Sequence, residues 1–212
     1  MLVMSDEVDQ RIYSSYLKEN FSEIQLLLSC GDLPFYYLEY IIDVLNVPMF
    51  FVHGNHDPEV EVGHAGNRRH PWGAVNLDNR VVIFKGLILA GFEGSIRYSK
   101  KRHEYTQLEM WFKVLRTVPK FWWNKLRRGR YLDVLITHAP AWDVSDRLDP
   151  VHRGFKAFRW LLETFKPRYH FHGHVHQLDR SQDAVVKFHE TEVVNTYTYK
   201  RIVIQIERKY AR

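Results

Sequence analysis

Cysteine is almost missing from this chain: a lone Cys30 among 212 residues excludes an internal disulfide and fits a reducing compartment. Following Leu26-Leu27-Leu28-Ser29, it reads as a small buried residue at a strand end and not as a nucleophile. Long apolar runs are missing too. None approaches the roughly 18 residues that a membrane span needs, and Met1-Leu2-Val3-Met4 leads straight into a short strand with no basic leader. The chain has no internal repeat and no low-complexity linker. These absences point to an ordinary cytoplasmic protein without a membrane span.

An acidic surplus is also lacking. Thirty lysines and arginines against 25 acidic residues leave a formal charge of +5, which favours anionic partners in general; phosphorylated substrates suffice to explain it. The hydrophobic fraction of 45% and charged fraction of 26% are those of a globular chain, not a disordered or fibrous one. The length suits one good core. The expectation is one domain over residues 1–212, with a loop insertion near 58–79 and a helical insertion near 103–128.

Histidine is what the chain has in quantity. Its twelve histidines concentrate: His170, His172, His174 and His176 alternate, and His53 and His56 flank Gly54-Asn55. Histidine is the commonest metal ligand and titrates near neutral pH.

Apolar runs alternate with helix-like segments in the first half, which predicts a largely parallel sheet. Ile24 to Ser29 reads as a buried strand ending at Gly31-Asp32. Tyr37, Leu38, Tyr40, Ile41, Val44 and Leu45 recur at helical spacing until Asn46 and Pro48, and Met49 to Val52 starts the next strand. Residues 58–79 show no period and read as a loop over the site. Val81 to Phe84 and Leu87 to Ala90, separated by Lys85-Gly86, predict a tight hairpin. Leu108, Trp111, Phe112 and Leu115 predict an amphipathic helix that Pro119 interrupts or restarts. Asp133 to Ile136 reads as a strand delivering Thr137-His138, a second helix spans about Phe155 to Phe165, and the tail, including Arg201 to Ile206, returns to antiparallel β alternation.

Polar clusters follow these strands: Ser5-Asp6, Gly31-Asp32, Gly54-Asn55-His56-Asp57, Thr137-His138 and Gly173-His174-Val175-His176, with Asn195 after Val193-Val194. Strand ends converge at one edge of a sheet, so these groups can meet in one metal pocket. Paired divalent ions about 3.5 to 4 Å apart clamp the attacking and leaving oxygens of a phosphate ester, and need one bridging carboxylate plus neutral nitrogen and oxygen donors. Asp32, at a buried strand end, is the best bridge. Taken singly, Asp32 is also a good turn residue, Asp6 a helix cap, Asn55 a left-handed turn residue and His138 a core histidine. Their common position after strands favours the site.

With Gly54 to Asp57 reading GNHD and Gly173 to His176 reading GHVH, the chain resembles the calcineurin-like metallophosphoesterases, whose pattern runs DxH, GD, GNH(D/E), H, GHxH. The resemblance spans about Val3 to His176. It implies a four-layer αββα sandwich of two packed sheets, with metals at the sheets' C-terminal edge. One ion would be held by Asp32, Asn55, His138 and His174, the other by Asp6, Asp32 and His176. Mixed oxygen and imidazole donors suit manganese, iron or zinc. It further implies in-line attack by a metal-held hydroxide on a phosphate mono- or diester, with His56 as the acid that expels the alcohol and Asp57 orienting its ring.

The first motif departs from the pattern. Where the family has histidine two places after the aspartate, this chain has Val8, so the second ion loses a ligand, to be replaced by water, by Asp9 or Glu7, or not at all. That departure keeps a non-catalytic binding scaffold open as an alternative. Arg97, after a strand, is placed to fork a substrate phosphate, and His152, between His138 and the last helix, to line the pocket; an ordinary surface role stays open for each. Asn195 is left structural. Lys120 to Arg130 mixes bases with aromatics, a pattern that grips nucleic acid or a membrane surface, forms a dimer contact, or anchors a helix to the core through its tryptophans with the cations solvated. A nuclease is therefore a third alternative. The expected partner is a phosphorylated small molecule or nucleotide.

Overall fold

Alternation along the first strand sets the layers. The computed structural model describes residues 1–63, 66–99, 102–176 and 185–204, and strand β1 (Leu2–Ser5) is buried along its whole length. Successive strand side chains point to opposite faces. Leu2 and Met4 accordingly join one apolar cluster with Ile12, Leu17, Tyr37 and Ile41, while Val3 joins another with Leu28, Phe50, Val134 and Phe171. A strand apolar on both faces belongs to a sheet covered on both sides.

Helix α1 (Tyr16–Asn20) and strand β2 (Leu27–Ser29) lead to α2 (Phe35–Leu45) and β3 (Met49–Phe51). An antiparallel pair, β4 (Glu61–Gly63) with β5 (Gly66–Arg68), precedes β6 (Ala74–Asn76). The strands β7 (Arg80–Phe84) and β8 (Leu87–Phe92) form the expected hairpin, Phe84 pairing with Leu87 across Lys85 and Gly86. Both turn residues have positive φ, 45° and 82°, as a two-residue turn matching the strand twist demands. A short parallel pair, β9 (Ser95–Ile96) and β10 (Glu104–Tyr105), leads into the long helix α3 (Gln107–Arg128). Then come β11 (Val134–Thr137), α4 (Lys156–Phe165), β12 (Tyr169–His172), β13 (Val185–Phe188), β14 (Thr191–Asn195) and β15 (Thr198–Arg201).

The first sheet runs β15-β1-β2-β3-β6 and the second β13-β14-β12-β11-β8-β7. In the first, β1, β2, β3 and β6 are parallel; in the second, β8, β11, β12 and β14 are. Leu28 and Phe50 of one sheet meet Val134 and Phe171 of the other in the middle. Beyond the second sheet, Ile88, Ala90 and Leu135 meet Met110, Val114, Phe158 and Leu161 of α3 and α4. Helix, sheet, sheet, helix is the four-layer αββα sandwich that the sequence implied.

Three sequence expectations need correction. Residues 58–79 are not simply a loop, since β6 completes the edge of the first sheet beside β3; its alternation is short and half exposed, which hides it from a pattern search. Pro119 does not break α3, which runs through it between a Thr106/Glu109 capping box and Gly129 at φ 73°. The proline lies on the exposed face, where water can satisfy the carbonyl that loses its hydrogen bond. The last strand among the described residues is Thr198–Arg201, antiparallel to β1, earlier than the expected run from Arg201 to Ile206, whose end lies outside the described residues.

Candidate metal centre

Two glycines let separate strand ends close on one another. A Cβ at Gly54 would stand 2.0 Å from Oδ1 of Asp32, and one at Gly173 would stand 2.5 Å from Oδ2 of Asp6. No other residue fits either place, which is the physical content of the GNH and GH motifs. Asp6, Asp32 and His174 all have positive φ, 65°, 58° and 66°, a left-handed conformation costing roughly 1–2 kcal/mol in an L-residue. Strain of this kind concentrates at functional sites.

Asp32, His138 and His174 each offer a donor atom, and the three atoms lie within 4.8 Å of one another. Nε2 of His138 is 3.2 Å from Oδ2 of Asp32 and 2.9 Å from Oδ1 of Asn55. Two donors held about 2.1 Å from one ion stand at most about 4.2 Å apart, so these separations fit a shared cation. Neighbours fix which atom each ring presents. His138 donates from Nδ1 to the Cys30 carbonyl at 2.8 Å, leaving Nε2 toward Asp32 and Asn55. His174 donates from Nε2 to the Val151 carbonyl at 2.9 Å, so its neutral ring keeps the lone pair on Nδ1. Asn55 is oriented by Nδ2, which donates to the Tyr98 hydroxyl at 2.9 Å.

The electrostatics match a cation site. Burial and the charge of His138 hold the His174 ring down at about 3. Burial alone would push His138 down as well, but the charge and hydrogen bond of Asp32, with Asp6 behind, carry it up to about 9. Asp32, despite its burial, is held well below the carboxylate range by the same His138 contact. Burial raises Asp6, whose two oxygens accept from the His174 amide at 2.9 and 3.1 Å.

A second set is thinner. Nε2 of His176 lies 3.9 Å from Oδ1 of Asp6, and the His176 ring is exposed. Among the described residues, the only group of three or more His, Cys, Asp or Glu donors is Asp32, His138 and His174. Val8 packs with the cluster of Leu2, Met4 and Ile12. Arg11 forks the carboxylate of Asp9, the candidate replacement ligand, at 2.8 and 3.1 Å.

The calcineurin-like phosphoesterase family matches residues 10–178, most of the chain. This protein is a calcineurin-like phosphoesterase. One solved crystal structure, 17% identical, covers 93% of this chain and 92% of its own, with a TM-score of 0.64. The crystal structure of TT1561 of Thermus thermophilus is 13% identical over 93% of this chain and 88% of its own, at 0.58. At these identities the likeness is one of fold. No curated protein matches the chain. The family is one of metal-dependent phosphoesterases, and the oxygen and imidazole donors gathered at Asp32 fit a divalent cation.

The remaining site candidates of this calcineurin-like phosphoesterase divide. His56 has an exposed ring, while its amide donates to Oδ1 of Asp32 at 2.7 Å. Asp57 turns away from it: its carboxylate accepts from the Gly54 amide at 2.9 Å and stands 3.3 Å from Nδ1 of His53, which corrects the expected pairing with the His56 ring. His152 does reach the site, its ring centre 5.2 Å from that of His174 and its Nδ1 2.8 Å from Asp149. Arg97 does not, because both oxygens of Glu109 hold its guanidinium at 3.0 and 2.9 Å. Asn195 is structural, donating to the Val175 carbonyl at 2.7 Å between the two motif histidines. Sequence reasoning missed Tyr98 and the Val151 carbonyl. Neither carries a motif, and each is brought in by the fold alone.

Proposed function

We propose that the chain hydrolyses phosphate mono- or diesters of a phosphorylated small molecule or nucleotide. The observation that supports this best is the convergence of Asp32, Asn55, His138 and His174 from four different strand ends on one spot. Asp32, Asn55, His138 and His174 would hold one divalent ion, and Asp6, Asp32 and His176 a second; manganese, iron or zinc suits such donors. Ions held there supply Lewis acidity toward water and phosphate oxygens.

The chain's own residues do the rest. The Tyr98 hydroxyl and the carbonyls of Cys30 and Val151 keep Asn55 and the two histidine rings in fixed orientations, so little reorganisation accompanies reaction. The exposed His56 ring, on a loop anchored through its amide to Asp32, delivers a proton to the departing alkoxide. His152, beside His174, borders the space where the ester sits.

The test is release of p-nitrophenolate from bis-p-nitrophenyl phosphate and from p-nitrophenyl phosphate with added manganese, before and after chelation. Turnover that chelation abolishes is expected, and the ratio of the two substrates separates diesterase from monoesterase. No turnover with either, in protein that binds manganese, would favour the scaffold reading, for which Val8 and the Arg11-bound Asp9 speak.

A further inference from the structure

Helix α3 has two apolar faces, and the fold uses one. Met110, Val114, Thr117, Phe121 and Asn124 are buried against the second sheet and α4. Trp122 and Trp123 are more than half exposed, Trp122 touching Tyr131 edge-on, so they are not the buried anchors of the helix. At 100° per residue they fall away from the buried positions, onto the far side. There a second stripe recurs at alternate spacings of four and three through positions 108, 112, 115, 119, 122 and 126. Leu108 is 64% exposed, Phe112 58%, Trp122 55% and Leu126 79%, with exposed Leu115 and Trp123 between them. At 1.5 Å per residue the stripe is about 27 Å long, too long and regular for scattered surface hydrophobics.

The helix is strongly basic, and Arg116, Lys120 and Arg127 flank the stripe on one side. Within Gln107–Arg128, six cations, Lys113, Arg116, Lys120, Lys125, Arg127 and Arg128, face a single acidic residue, Glu109. That surplus equals the formal +5 of the whole chain. At the N-terminal end, beside Phe112, a hollow of about 550 Å³ is lined by Arg97, Arg102, Lys113 and Arg116 together with Glu104 and Glu109. Arg97 and Lys113 already pair with Glu109 and Asp78, and Arg128 falls on the buried side of the helix, so Arg116, Lys120 and Arg127 are the cations best placed to meet an outside anion.

This combination selects among occupants. A second copy laid stripe against stripe about a twofold axis would mass the cations of both helices, Arg116 and Lys120 among them, along the seam. A nucleic acid would answer the cations and leave Leu108, Leu115 and Leu126 against water. The surface of an anionic bilayer answers both, taking leucines and phenylalanine below the headgroups, tryptophans at their level and cations at the phosphates. No helix among the described residues is long and apolar enough to cross a membrane, so α3 lies on the surface.

We propose that α3 is an interfacial helix docking this protein on anionic phospholipid membranes. The test is cosedimentation of the full chain with vesicles of phosphatidylcholine alone and of phosphatidylcholine mixed with phosphatidylglycerol, with tryptophan emission recorded alongside. Binding to the mixed vesicles only, with a blue shift and loss at high salt, is expected. Joint replacement Leu115→Glu and Leu126→Glu should weaken it about tenfold or more, and Lys120→Glu with Arg127→Glu should do so independently. Absence of binding to the mixed vesicles, wild-type binding by both double variants, or a wild-type dimer that the leucine variant converts to monomer would each overturn the proposal.

Discussion

The main-chain amide of His56 donates to Oδ1 of Asp32 at 2.7 Å. The loop bearing the candidate acid is thereby fixed to the candidate bridging carboxylate through backbone, and the ring is left free for substrate. His56→Ala keeps that amide. We expect turnover to fall by about 10²–10⁴, the usual contribution of a positioned acid, while metal analysis of the loaded variant shows unchanged content. Loss of metal in step with rate would take the proton-donor role from His56.

Asp57 tests a different dependence. Its carboxylate, almost wholly buried, is the acceptor for the Gly54 amide and the neighbour of His53, so Asp57→Ala leaves a buried N–H unpaired. The expected cost is about 1–3 kcal/mol in urea denaturation. Asp57→Asn, which retains an acceptor oxygen, should recover most of it. Equal losses in the two variants would show that the Gly54 contact is not what the side chain supplies.

What the sequence made legible had a local physical cause. The GNHD and GHVH clusters could be located because Gly54 and Gly173 sit where any Cβ would collide with Asp32 or Asp6, a constraint visible as residue type. The β7–β8 hairpin followed from Lys85-Gly86, and α2 and α4 from apolar spacing. What stayed hidden depends on the path of the chain in space. Asp57 adjoins His56 in sequence yet faces His53; Asp9 lies three residues from Asp6 yet is held by Arg11. Tyr98 reaches Asn55 across 43 positions. The outward turn of Trp122 and Trp123 was hidden for another reason: α3 is apolar on two sides, and spacing alone does not say which side meets the sheet.

Metal loading should be unequal and proton-linked. Asp32, Asn55, His138 and His174 provide four fixed donors, whereas beyond Asp32 the second set rests on Asp6 and the exposed His176, with Val8 turned into the core. Protein loaded with manganese and then desalted is expected to retain one ion per chain, a second binding only in excess metal and disappearing in Asp6→Asn or His176→Ala. Because Asp32 carries His138 up to about 9, a cation at Nε2 must displace a proton. Affinity for the first ion should rise about tenfold per pH unit below that value and level off above it. Calorimetry in buffers of different ionisation enthalpy reads the released proton directly, and pH-independent affinity would contradict the Asp32–His138 pairing.

Buried His170 should make stability fall in acid. The Thr137 hydroxyl gives its hydrogen to the Ala139 carbonyl at 2.6 Å, so in the 2.8 Å contact with Thr137 the His170 ring is the donor, through Nε2. Nδ1 is then a bare, buried lone pair with no partner. Protonating it would place an unpaired N–H and a charge in the core, which is why burial, and then the charge of His172, hold His170 well below its ordinary 6.5. His172, buried one strand pleat away, is lowered to about 4. A depressed histidine means that the unfolded chain binds the proton more readily, so stability rises with pH. The contribution is complete above pH 6.5 and is lost as pH falls from there toward 4. For His172 the shift corresponds to about 3 kcal/mol. Urea midpoints measured from about pH 7.5 down to about 4.5 should therefore fall more steeply for the wild type than for His170→Leu, the gap between them shifting in the variant's favour as the solution is acidified. Parallel curves would mean that His170 already carries a proton in the folded state, and that Nδ1 has a partner.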